Sequence, residues 1–71
     1  MISDEQIREN FRHACRIART DFGMSMSKLA GSVGVSVGAI QKFEAGKTTP
    51  ALPTCLRLAT ELGIDLYKVT E

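Results

Sequence analysis

Apolar residues recur along this chain at intervals of three and four, and no stretch alternates for long between apolar and polar residues. The first spacing is that of one face of an α-helix, whereas strict alternation indicates a half-buried strand. The pattern therefore predicts an all-α chain. We expect five helices joined by short turns, with no linker between them.

The first predicted helix begins after Ser3, which is followed three residues later by Gln6 in the pattern of a capping box. Gly23 marks its end. Between these limits one face of the helix is apolar and is expected to lie in the core: Ile7, Phe11, Ala14, Cys15, Ala18 and Phe22.

The next two predicted helices are short and separated by only a tight turn. Ser25 is the expected N-cap of the second helix and Gly34 its end, while Ser36 caps the third and Gly46 ends it. Two short helices joined by a glycine-containing turn form the unit that places its second helix in the major groove of DNA.

The remainder of the chain predicts a fourth helix that ends at Gly63 and a short fifth helix capped by Asp65. The apolar stripe of the fourth helix consists of Leu52, Cys55, Leu56, Ala59 and Leu62. The fifth helix carries Leu66, Tyr67 and Val69. We expect Leu66 and Tyr67 to close the core, with a dimer contact as the alternative.

Length and composition place the chain among ordinary globular domains. With 71 residues, 44% of them hydrophobic and 24% charged, it supports one modest core, so residues 1–71 are expected to form a single domain. No apolar run approaches the ~18 residues of a membrane span, and acidic residues stand where a signal peptide has a basic and then an apolar stretch. We therefore expect a soluble cytoplasmic protein that does not associate with membranes.

Catalytic and metal chemistry finds little support in the sequence. There is no nucleophile paired with a base, and His13, the single histidine, has no partner for a metal site. We expect no enzymatic activity, no cofactor and no small-molecule ligand. Cys15 and Cys55 lie among apolar residues, which favours buried reduced thiols over a disulfide.

The net charge of +1 means that the field of the whole molecule does not attract nucleic acid, so any site for a polyanion depends on where charges lie. Four arginines share one flank of the first helix: Arg8, Arg12, Arg16 and Arg19. Acidic residues stand three or four positions from some of them, so a solvated, self-neutralised face is favoured over a nucleic-acid patch.

The third helix divides into two sides on a helical wheel. Ala39, Ile40 and Phe43 lie on one side, and the opposite side presents Val37, Gly38, Gln41, Lys42 and Ala45. The second side has no acid, as expected of a surface that enters a groove lined by phosphates. Gln41 and Lys42 can hydrogen-bond to base edges, Val37 can pack on a thymine methyl group, and Gly38 permits close approach. The alternative is a tolerated surface or a protein-binding patch.

These motifs carry a resemblance to a known family. The most specific pieces are Leu29-Ala30, Gly34, Ile40, Glu44-x-Gly46, Pro50 and Leu58-Ala59-x-x-Leu62-Gly63. From about Ile7 to Val69 the chain resembles the helix-turn-helix core of phage-repressor and Cro-type DNA-binding domains. The resemblance implies a compact, lambda-repressor-like five-helix bundle in which the second and third helices form the helix-turn-helix.

In function, the resemblance implies a transcriptional regulator, most often a repressor, that binds a two-fold symmetric operator in double-stranded DNA. It also implies a weak homodimer that forms or strengthens on DNA. Since a chain of this length leaves no room for a separate dimerisation domain, we expect this domain to supply the dimer contact. The alternative from another class is an antitoxin-like or adaptor-like module that binds protein and not DNA.

The resemblance also suggests roles for individual residues. Phosphate contacts are expected from Ser25, Met26, Ser27, Ser36, Lys47, Thr48 and Thr49, although the serines would serve as caps in any helical bundle. Arg19 and Glu44 match a paired Arg and Glu of the family, which implies a partly buried ion pair that fixes the third helix against the first. Val37 and Gly38 stand where the family often has Gln or Ser, so the contacts that recognise the bases are expected to differ from those of the better-known repressors.

Overall fold

The computed structural model describes all residues from 1 to 71 and contains four α-helices and no strand. The helices are α1 (Asp4–Asp21), α2 (Met26–Val33), α3 (Val37–Glu44) and α4 (Leu52–Leu62). A 3-10 turn follows at Lys68–Thr70. The all-α class is therefore confirmed. None of the helices is both long enough and apolar enough to cross a lipid bilayer.

The predicted fifth α-helix is wrong in type, because the segment after Gly63 forms a 3-10 turn. Its backbone bonds join residues three apart, as in the bond from the Lys68 amide to the Asp65 carbonyl at 3.1 Å. The Asp65 carboxylate accepts from the Tyr67 amide at 3.0 Å. This contact two residues along the chain offers the backbone a turn in place of the first α-helical bond.

Serine caps and one glycine turn arrange the first three helices. The hydroxyl oxygens of Ser3, Ser25 and Ser36 each accept from the amide three residues later at 3.0 to 3.1 Å, which satisfies a free donor of the helix. Gly34 ends α2 in the left-handed region at φ +76°, a conformation that costs other residues energy. This turn leaves only three residues between the end of α2 and the start of α3.

The core joins all four helices. It consists of Phe11, Cys15, Leu29, Ala30, Val33, Ile40, Phe43, Leu58, Ala59, Leu62 and Val69. The rings of Phe11 and Phe43 lie 5.8 Å apart between centroids at a tilt of 44°, so aromatic packing connects α1 to α3. Burial of Ile40 and Phe43 immobilises the inner side of α3 and turns its other side outward.

Several apolar residues that the sequence predicted for the core are exposed. Phe22 is 62% exposed, and it lies one residue beyond the end of α1 at Asp21. On α4, Leu52 and Leu56 are 70% and 45% exposed, because the buried stripe runs instead through Leu58, Ala59 and Leu62.

Tyr67 is 86% exposed and Leu66 is also exposed, so the prediction that they close the core is wrong. Val69 is buried instead, and its carbonyl oxygen accepts from the Asn10 amide group at 3.0 Å. The chain after α4 is thus held by the buried side chain of Val69, by Ile64, which packs against the core, and by the hydrogen bond from Asn10 of α1.

The two cysteines are both free thiols. Cys15 is buried in the core, and this burial, assisted by the nearby Cys55 and Glu44, raises its pKa to about 12. Cys55 is partly buried, and burial likewise raises its pKa. The Cys55 thiol contacts the Pro50 carbonyl oxygen at 3.4 Å.

Candidate nucleic-acid interface

The outward side of α3 forms a largely exposed surface, which we name the reading face. It consists of Val37, Gly38, Gln41, Lys42 and Ala45, all of which are exposed except Gly38, which is half-buried. The side chains of Ile40 and Phe43 on the opposite side are buried, whereas Ala39, which the wheel places with them, is exposed. The wheel is therefore right for Ile40 and Phe43 and wrong for Ala39.

Local charge around the reading face differs from the near-neutral total. Between residues 22 and 50 the only acid is Glu44, which is buried and ion-paired, whereas Lys28, Lys42 and Lys47 are exposed and have no ion-pair partner. In α1, by contrast, four acids accompany four arginines. The helix-turn-helix thus presents uncompensated positive charge to solvent, which suits a polyanionic partner.

Gly38, in the first turn of α3, leaves space on the reading face that a side chain could occupy. A Cβ atom built at this position would meet only the Ser36 hydroxyl oxygen, at 3.8 Å, which is an ordinary contact. The fold therefore has room for a side chain at position 38. Because glycine within a helix costs up to about 1 kcal/mol relative to alanine, its presence here is not explained by packing within the chain.

An ion pair anchors the C-terminal end of α3 to α1. The Arg19 Nε and Nη2 atoms donate to the Glu44 carboxylate oxygens at 2.6 and 2.9 Å, in the forked geometry that guanidinium and carboxylate groups favour. Glu44 is only 6% exposed, and its hydrogen bond raises the pKa of Arg19. Arg19 Nη1 also donates to the Met24 carbonyl oxygen at 2.8 Å. One side chain thus joins α1, α3 and the turn before α2.

Arg12 provides a second anchor, which the sequence analysis missed. Its Nη1 atom donates to the main-chain carbonyl oxygen of Glu44 at 2.9 Å, a group that a helix end leaves without an intrahelical partner. Its other guanidinium atoms pair with Glu9, which raises the pKa of Arg12 and lowers the pKa of Glu9. The spacing of Glu9 and Arg12 indicated only a local pair, so no signal in the sequence pointed to α3.

The predicted phosphate contacts fall at helix ends. Ser25, Met26 and Ser27 surround the start of α2, Ser36 precedes α3, and Lys47 follows its last turn. The capping hydroxyl oxygens of Ser25 and Ser36 accept from backbone amides, which leaves their hydroxyl hydrogens free to donate outward.

Thr48 and Thr49 lie farther along the loop. Both are exposed, and they line a shallow depression against α1 together with Arg8. They therefore belong to the rim between the loop and α1, whereas the serines lie at the ends of the helix-turn-helix. The structure does not bring the whole predicted phosphate set into one cluster.

Other chemistry has no assembled site. His13 is exposed, and no group of three or more His, Cys, Asp or Glu side chains is arranged to hold a metal ion.

The fold and this surface define a class of protein: an all-α domain with a helix-turn-helix whose second helix is exposed, as in DNA-binding transcription regulators. Residues 16–69 match the family described as Helix-turn-helix, of the Cro/C1 type. Since this match covers more than half of the chain, the protein belongs to that family and is a DNA-binding transcription regulator.

Among solved structures, the chain is similar to the crystal structure of the clp gene regulator ClgR from Corynebacterium glutamicum. The two superpose with a TM-score of 0.77 at 26% sequence identity, over 90% of this chain and 68% of ClgR. No curated protein matches the chain at a significant level.

Proposed function

We propose that the protein is a repressor that binds a two-fold symmetric operator in double-stranded DNA as a homodimer. The reading face enters the major groove, and α2 crosses the sugar-phosphate backbone. Two protomers related by two-fold symmetry then meet half-sites about one helical turn apart. By occupying the operator, the dimer blocks or redirects RNA polymerase.

The reading face is the observation that carries this proposal. Four of its five residues are exposed, it has no acid, and packing within the fold does not require the glycine at position 38. In this arrangement Gln41 suits the N6 and N7 atoms of adenine, and Lys42 suits the O6 and N7 atoms of guanine. Val37 packs on a thymine methyl group.

Phosphate contacts fix the protein on the duplex and carry no sequence information of their own. We assign them to Ser25, Met26 and Ser27 at the start of α2, where free backbone amides point outward, and to Ser36, Lys47, Thr48 and Thr49 around α3. The Met26 side chain has no donor, so it contributes through its amide. The homodimer is weak in solution and is strengthened on DNA in the cytoplasm.

Selection of bound duplexes from a randomised DNA pool at moderate salt tests the proposal directly. We expect enrichment of one site whose halves are related by two-fold symmetry. An enriched site without symmetry would contradict the dimer. No enrichment by a folded protein would overturn the DNA-binding proposal in favour of a protein-interaction module that uses the reading face.

A matched pair of variants tests the role of the reading face. Gly31, which is exposed, and Gly38, which is half-buried, are both helical and free of steric hindrance to a Cβ atom, so alanine at either position should raise the free energy of unfolding by up to about 1 kcal/mol. Only Gly38→Ala should weaken binding to the selected site, by about tenfold or 1.4 kcal/mol. Equal affinities of the two variants would contradict close approach at Gly38.

A further inference from the structure

The four arginines of α1, which share one flank in sequence, have different surroundings in the structure. Arg12 and Arg19 reach Glu44 of α3 and each forms an ion pair. Arg16 lies between them in sequence, is exposed, and forms neither a salt bridge nor a side-chain hydrogen bond. Its charge is therefore available for a group outside the chain.

Arg16 borders a surface depression where three helices meet. The depression measures about 260 Å³ and is lined by Arg16, Arg19, Met26, Gln41, Glu44 and Ala45. Gln41 and Ala45 belong to the reading face, and Met26 is the first residue of α2. One arginine of α1 thus shares a cavity with the residues assigned to bases and with the start of α2.

The charge in this depression is positive. The Glu44 carboxylate is neutralised by Arg19 through two hydrogen bonds, and no other acid lines the depression. Arg16 therefore supplies an uncompensated charge, on a side chain that can form a forked contact with two phosphate oxygens.

We propose that Arg16 binds a phosphate group of the DNA backbone, so that the DNA contact extends from the helix-turn-helix onto α1. This inference rests on the proposed function. When α3 lies in the major groove, a strand of phosphates passes along each side of it. The depression joins the outer edge of the reading face to the start of α2, so the phosphate strand that α2 crosses passes over Arg16.

The salt dependence of binding tests this assignment on the full chain. The variants are Arg16→Gln, Arg16→Lys and, as a control, Arg57→Gln, which removes the same charge from the exposed side of α4. Relative to the wild type, Arg16→Gln should lower the slope of log K against log salt by about 0.9 per bound protomer. Affinity at 0.1 M salt should fall by about five- to tenfold, with base preference unchanged.

The controls separate this role from an effect of net charge or folding. Arg16→Lys should keep most of the slope, and Arg57→Gln should keep all of it. All three variants should melt at the wild-type temperature, because these side chains are exposed. If Arg16→Gln and Arg57→Gln give the same slope while the wild type binds its selected site, the assignment of Arg16 is wrong and the proposed function stands. If the wild type binds no DNA, the proposed function itself fails.

A second measurement identifies the phosphate without relying on the fold of a variant. Uncharged methylphosphonate groups are placed one at a time in the selected site, and binding by the wild type and by Arg16→Gln is compared. At one phosphate in each half-site, neutralisation should weaken the wild type severalfold and leave Arg16→Gln unaffected. Equal losses for both proteins at every phosphate would overturn the proposal.

Discussion

Helices α3 and α4 both pack against α1, but by different kinds of contact. No side chain of α4 hydrogen-bonds to another helix, and the helix is held by the buried side chains of Leu58, Ala59 and Leu62. Helix α3 also buries apolar side chains, and in addition its last residue, Glu44, is bound by two arginines of α1 through both its carboxylate and its carbonyl oxygen.

This difference follows what each helix has to do. Apolar contact is non-directional, so it stabilises α4 without fixing its position finely. Hydrogen bonds to a planar guanidinium have narrow preferences in distance and angle, so they fix the rotation and translation of α3. Under the proposed function, α3 presents side chains to base edges, which needs this accuracy. The directional contacts thus lie on the helix whose orientation the proposal requires to be fixed.

The largest expected effect comes from breaking the apolar anchor of α4. Leu58 is fully buried, so Leu58→Ala should lower the free energy of unfolding by about 3–5 kcal/mol through lost transfer energy and a residual cavity. Urea denaturation measures this loss. The molecules that remain folded at low temperature should keep wild-type affinity for DNA. A large loss of affinity per folded molecule would contradict the view that α4 stabilises the fold without orienting α3.

A smaller effect on stability, with a larger effect on binding, is expected from breaking the polar anchor of α3. Arg19→Ala leaves the Glu44 carboxylate buried without its partner and should cost about 3 kcal/mol of unfolding free energy. DNA affinity per folded molecule should fall as well, since α3 loses its fixed orientation. Wild-type stability together with wild-type affinity would show that the pair anchors nothing.

A double variant sharpens this test. Arg19→Met with Glu44→Leu replaces the ion pair by apolar side chains, which is often neutral or stabilising for a buried pair. We expect unfolding free energy near the wild-type value and DNA affinity that stays reduced. If unfolding free energy and DNA affinity both returned to their wild-type values, apolar contact would orient α3 as well as the ion pair does.

The smallest expected effect is a loss of folding stability at high pH, caused by the thiol of Cys15, which is buried in the core. The thiol of Cys15 has its pKa raised from 9.0 to about 12 by burial, so above pH 9 the unfolded chain releases a proton that the folded chain retains. Because only the unfolded state releases this proton, a higher pH favours unfolding. The free energy of unfolding therefore falls as pH rises from about 9 toward 12.

The expected loss is about 1 kcal/mol between pH 9 and pH 10, measured by chemical denaturation at each pH. Cys15→Ala should remove this part of the pH slope even if its overall stability is lower. Cys55→Ala, at the partly exposed thiol, should retain it. An unchanged slope in Cys15→Ala would assign the pH response to other groups.

The sequence predicted the framework well because the signals that set it are local. Serine caps and the glycine at position 34 act within a few residues. Ser25 and Gly34 therefore predicted the two ends of α2, and Ser36 predicted the start of α3. The pairing of Arg19 with Glu44 was implied by the family resemblance and is present in the structure. Its forked geometry could not be derived from spacing alone, because the partners lie on different helices.

What could not be predicted depends on how the helices pack. Leucines at 52, 56, 58 and 62 fit two overlapping helical stripes on α4, and only contact with the other helices selects the one through Leu58. Similarly, Arg12 and Arg16 are one helical turn apart on α1. Glu9, three residues before Arg12, predicts a local pair for Arg12, but nothing in the sequence shows that Arg12 also reaches the Glu44 carbonyl oxygen of α3, whereas Arg16 reaches no group of that helix.

The position of Glu44 at the end of α3 has a consequence for how such a protein changes over evolutionary time. The side chains that meet α1 are inward or terminal, and those of the reading face contribute little to the core. Mutations at the outward positions therefore leave the attachment of the helix intact. If the reading face selects the target sequence, as we propose, a gene duplicate can acquire a new target through substitutions at a few surface positions without a prior gain in stability.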